Sequence, residues 1–309
     1  ANYPLFLPAV QALQALAAGN AVFWKPGAGG ERVAQLAVEM LVEAGLDPHL
    51  AVALPEDLES ARAALALPPD LTVLTGSLAT GRAVLDQLAQ VAQHDRGQPA
   101  PVILELSGDD PVIVLPSADL DRAARAIVFG RTLNAGETCI ASRRILVART
   151  LALDLKRRLS ALGLPLADDQ IVAFDSEQEA LALAAATPYA LGASIFGRDD
   201  EALALADRLR AGVVVINDVV APTADPRLPF GGRGASGFGS TRGREGLLEM
   251  TVPKAIATRR GAWLPHLRAP TPGDSALLAA LHALLHGPWR GRPQALIFMI
   301  RAMKHRRRE

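Results

Sequence analysis

The chain has 309 residues, of which 50% are hydrophobic, 4% aromatic and 21% charged, and its 32 basic and 32 acidic side chains cancel. This composition is typical of a soluble α/β protein and excludes a disordered or fibrous chain, and the zero net charge gives no support for nucleic acid as a partner. A single cysteine excludes an intrachain disulfide and a cysteine-rich metal site, so we expect a reducing compartment, the cytoplasm.

The first part of the chain alternates between strand-like and helix-like segments. Helical periodicity that stops at glycine indicates helices, and short apolar runs that end in a turn indicate buried strands. We expect helices at 8–19, 31–46 and 80–92, and strands at 21–27, 71–77 and 101–108. This rhythm predicts a parallel sheet covered by helices over residues 1–106.

A second α/β region follows over residues 107–258. Helices are expected at 119–136, 176–187 and 199–212, with strands at 142–148, 192–197 and 213–218. Residues 222–246 are rich in Gly, Pro and Arg and are predicted to be loops.

The end of the chain is strongly basic. From Arg259 onward there are 10 basic and 2 acidic residues, around two helix-like stretches. Residues 295–308 have the pattern of a basic amphipathic helix that contacts a membrane surface, although a solvated charged tail has the same composition. We predict an appendage over 259–309, and no apolar run of about 18 residues that could span a membrane.

The only cysteine, Cys139, stands in the short turn NAGETCI between a helix-like and a strand-like segment. A lone cysteine is commonly an inert buried residue. A packing cysteine belongs inside a strand or helix, however, whereas this one follows Gly-Glu-Thr. That polar setting favours a reactive thiolate nucleophile.

Glu105 stands within the apolar strand VILEL, where burial on both faces is expected. A buried carboxylate has a raised pKa and is suited to proton transfer near neutral pH. The alternative is a carboxylate at the end of the strand that pairs with arginine or with solvent. Both interpretations predict an unusual environment for this side chain.

Two further patterns indicate cofactor contacts, each with a plain alternative. Lys25, before Pro26, ends a strand, where a cation can hold ribose hydroxyls or phosphate; a solvated surface lysine is the alternative. Gly76 and Ser77, with Gly81 further on, open a helix after a strand, where N–H groups can receive a pyrophosphate; a tight turn is the alternative.

A pair of histidines in the tail resembles a metal-binding motif. His282 and His286 are spaced so that both imidazoles lie on one helix face, but no Glu follows His282 and no third ligand is evident. We therefore predict no metal site.

Taken together, these segments resemble the aldehyde dehydrogenase superfamily over residues 1–257. Several motifs occur in the family's order, and no single one would carry the resemblance. The matching blocks are NYPL (2–5), ALAAGNAVFWKP (15–26), LTGSLATGR (74–82), LELSGDDPVIVLPSADLD (104–121), FGRTLNAGETCIASRRILV (129–147), TPYALGASIFG (187–197) and LPFGGRGASGFGSTRGREGLLEMT (228–251).

The resemblance implies oxidation of a small-molecule aldehyde to a carboxylic acid. Cys139 would attack the carbonyl as a thiolate, and the amide of Asn2 with the Cys139 N–H would hold the oxyanion. Hydride transfer would leave a thioester, and Glu105 would activate the water that hydrolyses it.

The resemblance also implies NAD or NADP as cofactor, with residues 1–106 as the cofactor-binding part and residues 107–258 as the catalytic part. Lys25 and Pro26 would lie against the adenosine ribose, and the turn at Gly76, Ser77 and Gly81 would lie near the pyrophosphate. A homodimer is a further expectation of the resemblance.

This sequence departs from the family pattern in several places, two of which bear on the cofactor. The block E-E-I-F-G-P is missing, and Leu166–Val172 stands where it should be, so the glutamate that grips the nicotinamide ribose has no counterpart. Ala28 replaces an acidic residue that often follows the lysine, which leaves NAD versus NADP open. The alternative interpretation is a weakly active or inactive relative that serves as a binding module through its basic tail.

Overall fold

The computed structural model describes residues 2–67, 69–95, 100–167, 170–260, 264–267, 269 and 271–306. The chain divides into two compact units, Ala1–Pro253 and Lys254–Glu309. The predicted start of the basic appendage at residue 259 is close to this division, whereas the boundary between residues 106 and 107 stays a prediction.

The first unit alternates helices and strands. Its helices are α1 (Phe6–Ala17), α2 (Glu31–Glu43), α3 (Leu58–Ala66), α4 (Leu78–Asp95), α5 (Leu120–Thr132), α6 (Ala152–Ala161), α7 (Glu177–Ala184), α8 (Asp199–Ala206) and α9 (Gly243–Glu249). Its strands are β1 (Val22–Trp24), β2 (Ala51–Ala53), β3 (Thr72–Thr75), β4 (Val102–Glu105), β5 (Asp110–Val114), β6 (Ser142–Ala148), β7 (Ile171–Phe174), β8 (Tyr189–Ala190), β9 (Gly192–Phe196), β10 (Val213–Ile216), β11 (Arg233–Gly234) and β12 (Gly237–Phe238).

The largest sheet has five parallel strands in the order β10-β9-β5-β6-β7. Every residue of β5 and β9 is buried, as expected for a parallel sheet with helices on both faces. Residues of α5 and α6 join one core cluster with strand residues such as Val112 and Ile145, and residues of α7 and α8 join a second one with Ile113 and Ile195. The predicted α/β class, a parallel sheet covered by helices, is confirmed.

The strands of the first 106 residues do not form one sheet. β1 pairs with β2 in a parallel two-stranded sheet, and β3 pairs with β4 in another, which the antiparallel strand β12 extends. The expectation that β1 is a buried strand is wrong at Phe23, which is 62% exposed. Phe23 alternates with the buried Trp24, so only one face of this small sheet is covered.

Two predicted boundaries near the glycine-rich segments were also wrong. The helix expected over 119–136 ends at Thr132, because Asn134 and Ala135 adopt left-handed conformations that no α-helix contains. Residues 222–246, predicted as loops, contain β11, β12 and the start of α9. The short strands are only two residues each and carry no hydrophobic alternation that a sequence pattern could reveal.

The second unit contains a helical hairpin. α10 (Pro272–His286) and α11 (Arg292–Arg306) are joined by a turn that includes Trp289–Gly291, which confirms the two predicted helices. A capping box begins α10, since the backbone N–H of Thr271 donates to Asp274 at 2.8 Å. In the described part of the chain, no helix combines the length and apolar character that crossing a bilayer requires.

The rings of His282 and His286 lie 5.2 Å apart on α10, as their spacing predicted. Among the described residues, no group of three or more His, Cys, Asp or Glu side chains is arranged to hold a metal ion.

Candidate active site

Cys139 lies in a tightly constrained loop between α5 and β6. Three consecutive residues before it, Asn134, Ala135 and Gly136, have positive φ angles of 51°, 55° and 79°. Left-handed backbone is costly for alanine and is retained where surrounding structure enforces it. The result is a half-buried thiol at a sharp reversal of the chain, rather than inside a regular element.

Residues from the start of the chain hold this loop in place. The hydroxyls of Tyr3 and Thr138 share a hydrogen bond of 2.8 Å, and the amide of Asn134 donates to the carbonyl of Asn2 at 3.3 Å. The side-chain amide of Asn2 donates to the carbonyl of Glu137. The structure therefore brings Asn2 to the loop of Cys139, although the two are far apart in sequence.

Gly108 allows the loop to pack closely against the turn between β4 and β5. A Cβ atom on Gly108 would lie 2.5 Å from Oδ1 of Asp110 and 2.7 Å from the carbonyl oxygen of Cys139. Both distances are far below van der Waals contact, so only glycine fits here without movement of the loop. Asp110 is itself 5% exposed, and burial raises its pKa from 3.8 to about 8.

Glu105 is the last residue of β4 and is 4% exposed, as its apolar neighbours predicted. Three side chains donate hydrogen bonds to its carboxylate. Gln11 and Thr75 reach Oε2 at 3.1 and 3.2 Å, and the hydroxyl of Thr241 reaches Oε1. The carboxylate is therefore held in one orientation by residues from α1, β3 and the segment before α9.

Burial dominates the electrostatics of both candidate catalytic groups. It raises the pKa of Glu105 above 4.5, and the hydrogen bonds from Thr241 and Thr75 oppose that effect. Burial also raises the pKa of Cys139 from 9.0 to about 11, followed by the negative charges of Glu105 and Asp110. The polar turn therefore does not lower the pKa of the thiol, and the assignment of Cys139 as nucleophile stays a prediction.

The proposed cofactor residues lie where parallel strands end. Lys25 and Pro26 directly follow β1, and Pro26 is buried. Gly76 and Ser77 join β3 to α4, where the Ser77 hydroxyl accepts the N–H of Thr80 at 3.1 Å and so caps the helix. The N–H of Gly76 donates to the carbonyl of Glu105 at 3.0 Å, which ties this turn to the strand of the candidate base.

Gly81 lies inside α4 and has a packing role. A Cβ atom there would meet the side chain of Leu106 at 3.0 Å, so glycine lets the helix approach β4 closely. Gly76 and Ser77 thus form the turn before α4, whereas Gly81 makes a packing contact inside the helix.

Glu56 is a candidate that the sequence patterns did not reveal. It follows β2 and accepts the N–H groups of Gly30 and Glu31 at 3.1 and 3.3 Å, which caps α2. Because β1 and β2 are parallel, with Trp24 opposite Ala53, Lys25 and Glu56 leave the same edge of the sheet. Glu56 is therefore an acidic group at the sheet edge that Lys25 also leaves.

The block 166–172 that replaces E-E-I-F-G-P includes Asp168 and Asp169, which lie outside the described residues. The same holds for Ala1, which precedes Asn2, and for the last three residues of the basic tail.

Comparison with known proteins identifies relatives of this arrangement. A sequence model described as the aldehyde dehydrogenase family matches residues 2–162 and 169–256. The chain is 31% identical to 4,4'-diapolycopene aldehyde oxidase of Methylomonas sp., over 86% of this chain and 63% of that protein. It therefore spans less than two thirds of that relative's length.

Solved structures agree with the fold. A putative aldehyde dehydrogenase from Burkholderia cenocepacia is 31% identical, with a TM-score of 0.73 over 84% of this chain and 69% of that one. A Mycobacterium tuberculosis aldehyde dehydrogenase, solved in complex with NAD+, has a TM-score of 0.76 over 85% of this chain and 68% of that one. At 24% identity, the second likeness concerns the fold alone.

Proposed function

This chain belongs to the aldehyde dehydrogenase family, and from that premise we propose that it oxidises a small-molecule aldehyde to a carboxylic acid with NAD+ or NADP+. The observation that carries the proposal is the electrostatic interaction between Glu105 and Cys139. The negative charge of Glu105 raises the pKa of the thiol, and Asn2 contacts the same loop.

Residues of this chain act in both halves of the proposed reaction. The Cys139 thiol releases its proton to water, and its sulfur bonds to the aldehyde carbon while the amide of Asn2 and the N–H of Cys139 stabilise the oxyanion. A nicotinamide cofactor would supply the hydride acceptor when bound, and Cys139 would then carry the acyl group as a thioester. Glu105 then takes a proton from water, the hydroxide displaces the sulfur, and the carboxylic acid leaves.

The chain offers a donor set that fits a dinucleotide. The turn at Gly76 and Ser77 sits at the N-terminus of the 18-residue helix α4, at the end of a parallel strand, where backbone N–H groups favour phosphate. Lys25 supplies a cation directly after β1, in the connection that leads to α2. These residues would hold the pyrophosphate and the adenosine ribose of the cofactor.

Charge near Lys25 favours NAD+ over NADP+. Glu56 and Glu31 place two carboxylates at the start of α2, where they would repel a 2′-phosphate on the ribose that Lys25 contacts. Glu56→Gln should reduce the preference for NAD+, measured as the ratio of kcat/KM for the two cofactors. Glu39→Gln, on the exposed surface of α2, is the matched control and should leave that ratio unchanged.

Cys139→Ala provides the direct test of the reaction. We expect it to abolish aldehyde-dependent formation of reduced nicotinamide, while Cys139→Ser, which preserves size, retains only a trace. A panel of aldehydes should include long apolar ones, since the Methylomonas relative is named for 4,4'-diapolycopene aldehyde. Activity of Cys139→Ala equal to that of the wild type would refute the proposal.

Glu105→Gln separates the two halves of the reaction. Hydride transfer precedes hydrolysis, so this variant should give an initial burst of reduced cofactor followed by slow turnover. A steady rate without a burst, at the wild-type level, contradicts the role of Glu105 as base for water.

The second unit supports a second candidate function, attachment to an anionic membrane surface. Large apolar side chains are exposed on the hairpin, at Leu278, Leu285, Trp289, Ile297, Phe298 and Met303. Trp289 is 74% exposed at the turn, and the guanidinium of Arg290 lies 5.4 Å from the centre of its ring. Apolar and basic groups together are typical of interfacial helices.

Sedimentation with phosphatidylglycerol vesicles tests this attachment in the full chain. Trp289→Ser should lower the bound fraction, whereas Phe23→Ser should not, since Phe23 is an exposed aromatic of the first unit, at 62% against 74% for Trp289. Titration with NAD+ and NADP+ separates this function from catalysis: undetectable affinity for both would favour a binding module without enzymatic activity.

A further inference from the structure

Arg242 is a buried cation in the segment that leads from β12 into α9. It is 4% exposed, although the matching family block gave it no role. Charged side chains are rarely this buried unless a partner or a function retains them. The contacts of Arg242 therefore matter for the candidate active site.

The guanidinium of Arg242 is fixed but not fully paired. One Nη donates to the carbonyl of Thr223, and the group stacks over the ring of Phe230 at 4.4 Å. Its Nε is buried and has no hydrogen-bond partner among the described residues. A buried donor that lacks a partner is costly, so the guanidinium retains capacity for a further negative charge.

Arg242 has a strained backbone conformation, which fixes the position of its side chain. Its φ and ψ are 63° and 170°, a region that non-glycine residues rarely occupy. The N–H of Arg242 donates to the side chain of Gln14 at 3.0 Å, and the amide of Gln14 donates to the carbonyl of Gly243 at 3.3 Å. Gln14 of α1 thus holds the strained turn through the backbone of both Arg242 and Gly243.

The turn also connects Arg242 to the candidate base. Its neighbour Thr241 donates a hydrogen bond to the carboxylate of Glu105. Burial lowers the pKa of Arg242, and the negative charges of Glu105 and of an ionised Cys139 oppose that effect. The positive charge of Arg242 in turn lowers the pKa of Glu105, against the larger effect of burial.

We propose that Arg242 is a positioning residue that holds a positive charge against the pair formed by Cys139 and Glu105 and stabilises the thiolate as it forms. A role of this charge in catalysis rests on the proposed function, whereas its effect on ionisation of the Cys139 thiol does not. Four other charged residues face the thiol or its loop, and they stay unchanged in every Arg242 variant. They are Glu105 from β4, Asp110 from β5, Arg143 from β6 and Glu137 in the loop itself.

Alkylation of the single cysteine measures the thiolate directly, without aldehyde or cofactor. In the full chain, Arg242→Gln retains a donor for the Thr223 carbonyl and loses the charge, while Arg242→Lys retains the charge. The rate constant with iodoacetamide between pH 8 and 10 should fall about tenfold in Arg242→Gln, which corresponds to one pKa unit. Arg242→Lys should restore most of that loss.

Arg244→Met is the matched control, since Arg244 is exposed in the first turn of α9. This variant should be alkylated at the wild-type rate. Circular dichroism establishes that each variant is folded. If Arg242→Gln does not fold, Arg242→Met supplies a second neutral side chain that keeps an apolar stem over Phe230. Equal alkylation rates in the neutral variant and the wild type, or equal losses in Gln and Lys variants, would overturn the proposal.

The failure of this inference is distinguishable from failure of the proposed function. An unchanged alkylation profile in the neutral variants, together with loss of aldehyde oxidation in Cys139→Ala, would reject Arg242 and retain the enzyme. A shifted profile in a chain that oxidises no aldehyde would reject the enzyme and retain the electrostatic role.

Discussion

The reactivity of Cys139 follows from the burial and charges around it. Its pKa is raised from 9.0 to about 11 in the folded chain. Two pKa units correspond to about a hundredfold smaller thiolate fraction at any pH well below both values. At pH 8 the folded chain should therefore react with iodoacetamide about a hundredfold more slowly than the same chain unfolded in urea.

The assay is unambiguous because Cys139 is the only thiol. Alkylation is followed by intact mass between pH 7 and 11, in buffer and in urea, with a small thiol compound to correct for the effect of urea on the reagent. Glu105→Gln removes the second-largest cause of the raised pKa and should increase the folded-state rate several-fold. Equal folded and unfolded rates, with an inflection below pH 8.5, would refute this account of the site.

Three further predictions concern stability. Burial raises the pKa of Asp110 from 3.8 to about 8, so unfolding releases a proton between about pH 4 and 8. Wild-type stability therefore falls as pH rises through that window. Asp110→Asn should flatten this dependence and gain roughly 2–4 kcal/mol at pH 7, and coincident urea unfolding curves for both chains at pH 7 would contradict it. Gly108→Ala should lose about 1–3 kcal/mol through overpacking against Cys139 and Asp110. Thermal unfolding measures this loss beside the control Gly291→Ala, whose Cβ would meet open space at a glycine without a positive φ. Ser77→Ala removes the cap of α4 and should cost about 1 kcal/mol, while Ser160→Ala on the exposed face of α6 should cost less.

The sequence was sufficient to predict the catalytic candidates because each occupies an improbable local setting. Glu105 interrupts an apolar strand, and its burial follows from its neighbours alone. Cys139 stands in a glycine-containing turn, where a packing residue has no reason to be. Such local contrasts are readable without a structure, and so are the parallel strands around them.

The partners of these groups could not be predicted, because they come from distant segments. Gln11, Thr75 and Thr241 meet Glu105 only after α1, β3 and the segment before α9 are assembled. Polar residues at such positions are common in any chain, so nothing marks them beforehand. Glu56 illustrates the same limit, since its relation to Lys25 depends on the register of β1 and β2.

The pKa of Cys139 shows why a polar sequence does not predict a polar environment. The residues around Cys139 are mainly polar or small, yet burial is the main cause of its raised pKa, followed by the negative charges of Glu105 and Asp110. Both burial and charge therefore oppose ionisation of the thiol. Composition records which groups are present, whereas desolvation depends on how closely the assembled loop approaches the sheet.

The charges of Cys139, Glu105 and Arg242 are best treated as one system. A buried guanidinium favours a single compensating negative charge beside it, and a second one adds repulsion between the two anions. Protonation of Glu105 leaves the sulfur as the single anion of the pair and so favours the thiolate. The two groups should therefore titrate as a coupled pair whose apparent pKa values belong to both. Removal of Arg242 penalises either anionic form, so its loss should affect alkylation of Cys139 even in a Glu105→Gln background.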